Sequence, residues 1–363
     1  MTKRNRHGVW IAGLLAMLAA PPAVAEGNLT VVGWGGAYSE AQLKAQIEPF
    51  EAETGVDVTT ESYSGGVAEL KAQVESGAVT WDVIDMELSD AVRACDDGLL
   101  EPVGGLALVP AADGTPAAED YLPGGLFECG VGTSYVSAII AYNASAFAGD
   151  KPTQVADFFD LERFPGKRAL YRNPSRTLEL TLLADGVPGD KVYEVLATKE
   201  GQDRAFAKLD SIRSSIVWWE AGAQAPQLLA DKEATMAIAW NGRIFNAQVK
   251  EKQPFEILWD AQVLELSAWV IAKDAPNRQA AEDFVVFASS PASLARVATY
   301  IPYGPSRRSA SALVGKNPDT GIEMAPYLPT APDHLANVVQ LDPEFWATHG
   351  DVLNERFAAW LAQ

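Results

Sequence analysis

Residues 29–87 read strand, helix, strand, helix, strand, and this alternation limits the fold more than any other feature of the chain. Leu29-Thr30-Val31-Val32-Gly33-Trp34 is an apolar run closed by Gly35-Gly36-Ala37. Residues 38–54 carry Leu43, Ile47 and Phe50 at helical spacing, and Gly55 stops that helix. Residues 56–61 alternate and are β-branched, so they form a second strand. Ser64-Gly65-Gly66 opens a helix over 67–76, and 81–87 is a third strand with Val83 and Ile84 as its apolar middle. Strands separated by helices pair in parallel, because the crossover returns each strand in the same direction. Ser89 or Asp90 is expected to cap the next helix, which Gly98 ends. Ligands of open α/β sheets sit outside the carboxyl ends of the strands, where Glu87 lies. Glu87 and its neighbour Asp85 stand there either as site groups or as solvated loop carboxylates.

The first 25 residues read as a leader. Lys3, Arg4 and Arg6 form a positive start, residues 9–20 are apolar but too short to span a bilayer, and Ala23-Val24-Ala25 is a small-residue cleavage site. The pattern predicts export to the periplasm and a mature chain from Glu26. No later run of about 18 apolar residues occurs, so the mature protein is expected to be soluble. Removing 25 of 363 residues leaves 338, which suits two lobes better than one core. The formal charge of −20 becomes −23 without the leader's three basic residues, arguing against nucleic acid or anionic membrane as partner. Two cysteines, Cys95 and Cys129, in an exported chain predict one disulfide.

Residues 104–126 are rich in Gly, Pro and Ala and read as surface loop. Residues 135–142 form a strongly apolar strand, expected as the first crossing between lobes. Residues 151–160 are expected to be helical, 167–171 a short strand, 177–184 a helix, and 203–212 another. Strands follow at 215–219 and 234–240, with a helix at 225–231 between them. Residues 255–259 and 264–271 return the chain to the first lobe, and 278–288 and 292–299 are helices. The expected organisation is 26–135 for the first lobe, 136–265 for the second, 266–312 for the return, and 313–363 as a C-terminal helical segment. Phe357, Trp360 and Leu361 give that last segment an apolar face.

Several strand ends join an aromatic to a polar neighbour: Trp34, Met86-Glu87, Trp218-Trp219-Glu220, Trp240-Asn241-Gly242-Arg243, and Tyr303. Aromatic walls with a few fixed polar groups suit a small amphipathic or cationic ligand. Catalytic patterns are scarce. His334 and His349 have no metal-ligand spacing, and neither a nucleophile elbow nor a phosphate-binding loop occurs. No catalytic residue, cofactor or metal is expected.

At Trp34, in residues 81–100, at Trp240-Asn241-Gly242 and at Tyr303-Gly304-Pro305, the chain resembles the periplasmic solute-binding proteins of ABC importers, of the spermidine/putrescine type. The resemblance implies an α/β fold of two lobes, each a mainly parallel sheet flanked by helices, joined by two crossings and closing on a ligand. It implies a monomer that delivers its ligand to an ABC permease in the inner membrane. The family's binding aromatics match Trp34, Trp240 and Tyr303. Its polyamine-gripping acids are mostly missing: Pro174 and Thr177 stand at one expected place, and Leu266, beside Glu265, at another.

That change shifts the expected ligand. Without its charge partners a buried diamine would be costly. Arg243 and Arg176 suit a carboxylate, or else an interlobe salt bridge. A small zwitterion fits, its amine near Glu87 or Glu220 and boxed by Trp34, Trp219 or Trp240. A linear γ-amino acid or a short polyamine is expected. The alternatives are another small carboxylate or organic solute, ferric ion (which needs clustered tyrosines, whereas Tyr300 and Tyr303 are not adjacent), a sensory rather than transport role, and a secreted hydrolase.

Overall fold

Eight of the eleven strands form where apolar and β-branched runs predict them, three short ones (Leu126–Phe127, Gly304–Pro305 and Val338–Gln340) form by pairing with the two long strands outside those runs, and all join into one sheet that passes through both lobes. The computed structural model describes residues 28–363; the leader lies outside the described residues. The strands are β1 (Asn28–Gly33), β2 (Asp57–Ser62), β3 (Val83–Glu87), β4 (Leu126–Phe127), β5 (Gly130–Asn143), β6 (Arg168–Tyr171), β7 (Ile216–Trp219), β8 (Met236–Trp240), β9 (Phe255–Ile271), β10 (Gly304–Pro305) and β11 (Val338–Gln340). The main order is β2-β1-β3-β9-β5-β8-β6-β7. The β1–β2, β1–β3, β6–β7 and β6–β8 pairs are parallel. Long β5 and β9 pair with each other antiparallel and carry the chain between the halves. Their ladder is interrupted between Gly132 and Tyr135 and between Ala138 and Ile140, in the zone between lobes. The return, expected as two segments, is the single strand β9.

Each half has its own core. In the first lobe Leu29, Val31, Ile84, Phe50, Trp269 and Phe284 pack together. In the second, Leu178, Leu182, Phe158, Phe164 and Ile238 cover one sheet face, and Ala237, Ala239, Leu229 and Ile244 the other. The C-terminal helix Pro343–Leu361 contributes Phe345, Leu353, Phe357 and Trp360 to the second lobe. Cys95 and Cys129 are bonded, tying the helix Leu88–Asp96 to the start of the first crossing. The 104–126 loop is fastened to the first lobe by buried Arg307, whose Nε donates to Asp120 (2.7 Å) and Nη1 to the Val109 carbonyl (2.8 Å).

Two local expectations are corrected. The helix after β3 starts at Leu88, with Glu87 at its N-cap; the Asp90 carboxylate accepts from Gly66 N–H (2.9 Å) rather than from its own first turn. Within 151–160 only a short 3-10 turn, Val155–Phe159, forms. Asp260, from β9, accepts the Val155 N–H (2.7 Å), so a long-range contact replaces the helical one.

Candidate functional site

The carboxyl ends of β1, β3, β6 and β8 converge on one cavity of about 130 Å³ between the lobes. Trp34, Tyr38 and Tyr63 wall it from the first lobe, Tyr171 and Trp240 from the second, with Tyr303 alongside. The aromatic wall is held from behind by one buried carboxylate. Asp85 accepts hydrogen bonds from Tyr38 Oη (2.7 Å), Trp34 Nε1 (3.3 Å) and Gln42 Nε2, and its backbone carbonyl accepts from Tyr63 Oη (2.9 Å). Burial pushes the Asp85 carboxyl up to about 6, against the pull of those donors. Asp85 is therefore a buried positioning group, not a solvated loop acid.

One region of the cavity is acidic. Glu87 ends β3, and Glu265 and Ser267 lie two residues apart on β9, so the strand period puts both on one face. Glu87 pairs in register with Ser267. Arg176 reaches these acids from the second lobe: its Nη2 lies 2.6 Å from Glu87, its Nε donates to Glu265 (3.1 Å), and a second contact joins Nη2 to Glu265. Arg176 is 3% exposed and lies behind the lining rather than in it. Of the two readings open from sequence, Arg176 takes the salt bridge between lobes. Burial pushes the Glu87 carboxyl up to about 7, with Arg176 pulling it down.

Another part of the cavity is basic. Arg243, in the first turn of the helix Asn241–Val249, is 9% exposed and lines the cavity. Its Nη2 donates to the carbonyls of Gly35 (3.0 Å) and Trp34 (3.4 Å) across the cleft. Its buried Nε has no hydrogen-bond partner, and among the described residues no carboxylate pairs with it. Gly36 is required beside it: its φ is +58°, and a Cβ there would come within 2.0 Å of Arg243 Nη1.

Two residues named from sequence sit elsewhere than expected. Trp219 is 1% exposed and does not line the cavity; it stacks behind Tyr171 (4.6 Å) and donates to the Ile238 carbonyl (3.1 Å). Glu220 reaches only the rim, with a side chain 69% exposed and paired to Arg172 (2.9 Å). Sequence reasoning missed Tyr38, Tyr63, Tyr171 and Ser267. Tyr171, as the last residue of a strand, carried the same signal as Trp34 and Trp240. Tyr300 does not line the cavity, and its ring lies under Lys44 Nζ at 5.7 Å. Among the described residues no group of three or more His, Cys, Asp and Glu could hold a metal ion.

The family model for bacterial extracellular solute-binding proteins matches residues 45–330. The chain belongs to this family. A gamma-aminobutyric acid-binding protein of Pseudomonas aeruginosa is 43% identical over 96% of this chain and 95% of its own. Among solved structures, the A. tumefaciens B6 binding protein MotA in complex with glucopine superposes with a TM-score of 0.81 at 33% identity, covering 92% of this chain and 99% of that one. The Atu4243–GABA receptor gives a TM-score of 0.76 at 34% identity, covering 92% and 97%. The relatives are binding proteins and not enzymes, so this solute-binding protein captures a small molecule between its lobes without transforming it. No helix among the described residues is long and apolar enough to cross a membrane.

Proposed function

We propose that this protein binds a linear zwitterionic amino acid of the γ-aminobutyrate type and hands it to an ABC permease from the periplasm. The observation that carries this reading is Arg243, a guanidinium nine-tenths buried in the cavity wall with no carboxylate partner. A buried unpaired cation is costly, and a ligand carboxylate relieves it by charge-assisted hydrogen bonds to Nε and Nη1. The ligand ammonium turns to Glu87 and Glu265, and its methylenes lie against Trp34, Tyr63, Tyr171 and Trp240. The names of the P. aeruginosa relative and the Atu4243 receptor support the same ligand class.

Closure follows from the same contacts. Arg243 and Arg176 both extend from the second lobe, one to backbone carbonyls after β1 and the other to Glu87. A ligand that bridges these faces favours the closed population. In this reading residues 26–135 and 266–312 form one lobe, and 136–265 with the C-terminal segment the other. The mature protein begins near Glu26 and acts as a monomer.

Thermal unfolding of the mature protein against γ-aminobutyrate, butyrate, butylamine, putrescine, spermidine and common α-amino acids tests the assignment. At about 100 times its dissociation constant a ligand adds roughly 2.7 kcal/mol, a readable shift. γ-Aminobutyrate is expected to give the largest stabilisation. A shift with diamines alone would overturn the reading.

A further inference from the structure

The two arginines of the cleft stand in different situations. Arg243 lines the cavity and its buried Nε has no hydrogen-bond partner, whereas Arg176 is spent within the protein: Nε and Nη2 on Glu265, Nη2 also on Glu87, and Nη1 on Ser175 Oγ (3.3 Å). Arg176 is also held in an unusual backbone state. Its φ is +69°, at a kink where the Ser175 ψ of 139° breaks the first turn of the helix Pro174–Ala184. A non-glycine residue stays in that region only when its surroundings fix it. Asn173 Oδ1 accepts from Ser175 N–H (2.9 Å), and Thr177 Oγ1 donates to the Tyr171 carbonyl (3.2 Å), fixing the kink from both sides. The bend directs Arg176 back between two carboxylates, one on β3 and one on β9.

Counted over the charged side chains that line the cavity or form an ion pair with one that does, formal charge sums simply; Asp85 stands behind the wall in every variant considered, and Asp90 pairs with Arg93. Glu87 and Glu265 bring two negative charges, and Arg176 cancels one. The remainder matches one ammonium, and Arg243 matches one carboxylate. Glu220 and Arg172 cancel each other at the rim.

We propose that Arg176 is a specificity-determining residue that sets the ligand's net charge at zero by neutralising one of two cleft carboxylates. This rests on the zwitterion assignment above. Without Arg176 the cavity would favour a ligand carrying one extra positive charge; without either arginine it would favour a diamine. Arg176 thus rejects diamines without touching the ligand, by cancelling a charge that a second ammonium would need.

The test compares affinities for γ-aminobutyrate, butyrate, butylamine and putrescine by calorimetry. Wild type is expected to prefer γ-aminobutyrate to putrescine by about a hundredfold or more. Arg176→Gln is expected to raise the putrescine-to-γ-aminobutyrate affinity ratio by about tenfold or more, and Arg176→Gln with Arg243→Gln to invert the preference. Arg176→Lys should keep the wild-type ratio, because it keeps the charge. Arg176→Gln with Glu265→Gln removes both partners and should return the ratio toward wild type, a rescue that a purely structural role would not produce. If Arg176→Gln cannot be purified, Glu87→Gln makes the converse measurement: the cavity gains net positive charge, and butyrate should gain on γ-aminobutyrate. A wild type that prefers γ-aminobutyrate, with ratios unchanged in Arg176→Gln or in Glu87→Gln, overturns the charge filter alone. A wild type that prefers putrescine overturns the zwitterion assignment and the filter together.

Discussion

The carboxyl of Glu87 makes ligand capture pH-dependent in a direction that can be worked out. In the folded protein without ligand its pKa is about 7, against 4.5 for an ordinary glutamate, because burial outweighs the pull of Arg176. An ammonium favours the ionised carboxylate, so binding must expel the proton wherever Glu87 holds one. The ligand's own groups do not titrate between pH 5.5 and 8. With a pKa of about 7, the apparent dissociation constant for γ-aminobutyrate should be about 30-fold weaker at pH 5.5 than at pH 8. Close to one proton should be released per ligand at the acidic end. Stability without ligand runs the other way. Between pH 4.5 and 7 the folded state holds a proton that the unfolded chain has lost, so stability falls as pH rises through that window. Glu87 alone accounts for roughly 3 kcal/mol of this fall. Asp85, raised to about 6, adds to it in the same direction and remains in a Glu87→Gln variant. The assay is calorimetry in buffers of different ionisation enthalpy, with urea unfolding at pH 5 and pH 8, for wild type and Glu87→Gln. An affinity that is flat from pH 5.5 to 8, or an equal slope in Glu87→Gln, would refute the reasoning.

Three further outcomes are expected. Arg243→Gln removes the charged donor to the ligand carboxylate and should cost about 2–4 kcal/mol of γ-aminobutyrate affinity, roughly 30- to 1,000-fold, while butylamine binding holds or rises because the cavity loses one positive charge; titration of both ligands checks this. Trp240→Ala deletes the ring that lies 5.6 Å from Tyr171 and 5.4 Å from the Arg176 guanidinium, and should lower affinity by about 2 kcal/mol with the far-UV spectrum retained. Replacing both Cys95 and Cys129 by serine opens a loop of 34-residue separation and should lower unfolding stability by about 3–4 kcal/mol in urea, without changing ligand preference.

Much of this was legible in the sequence because the first lobe is locally specified. Its strands alternate or run apolar, its helices stop at glycine, and the parallel sheet follows from the connections alone. The aromatic residues at strand ends carried the cleft, since Trp34, Trp240 and Tyr303 all line it. What was hidden depends on contacts distant in sequence. Whether Trp219 faces the ligand or backs Tyr171 is decided by packing between β6, β7 and β8. The roles of the two arginines were indistinguishable, because the partners of Arg176 come from β3 and β9, 89 residues apart from it in the Glu265 case. Asp85 and Glu87 looked alike as neighbours on one strand, yet one anchors the wall from behind and the other faces the cavity. Glu265 did leave a signal: an acid inside the apolar run Val263-Leu264-Glu265-Leu266 is worth a partner search, since a buried carboxylate needs one.

The most direct test of the central claim is a crystal structure of the mature protein with γ-aminobutyrate bound. The carboxylate is expected within hydrogen-bond distance of Arg243 Nε and Nη1, the ammonium toward Glu87 and Glu265, and Arg176 still paired to both acids. A carboxylate held by Arg176, a reversed ligand, or an empty cavity at saturating ligand would contradict it.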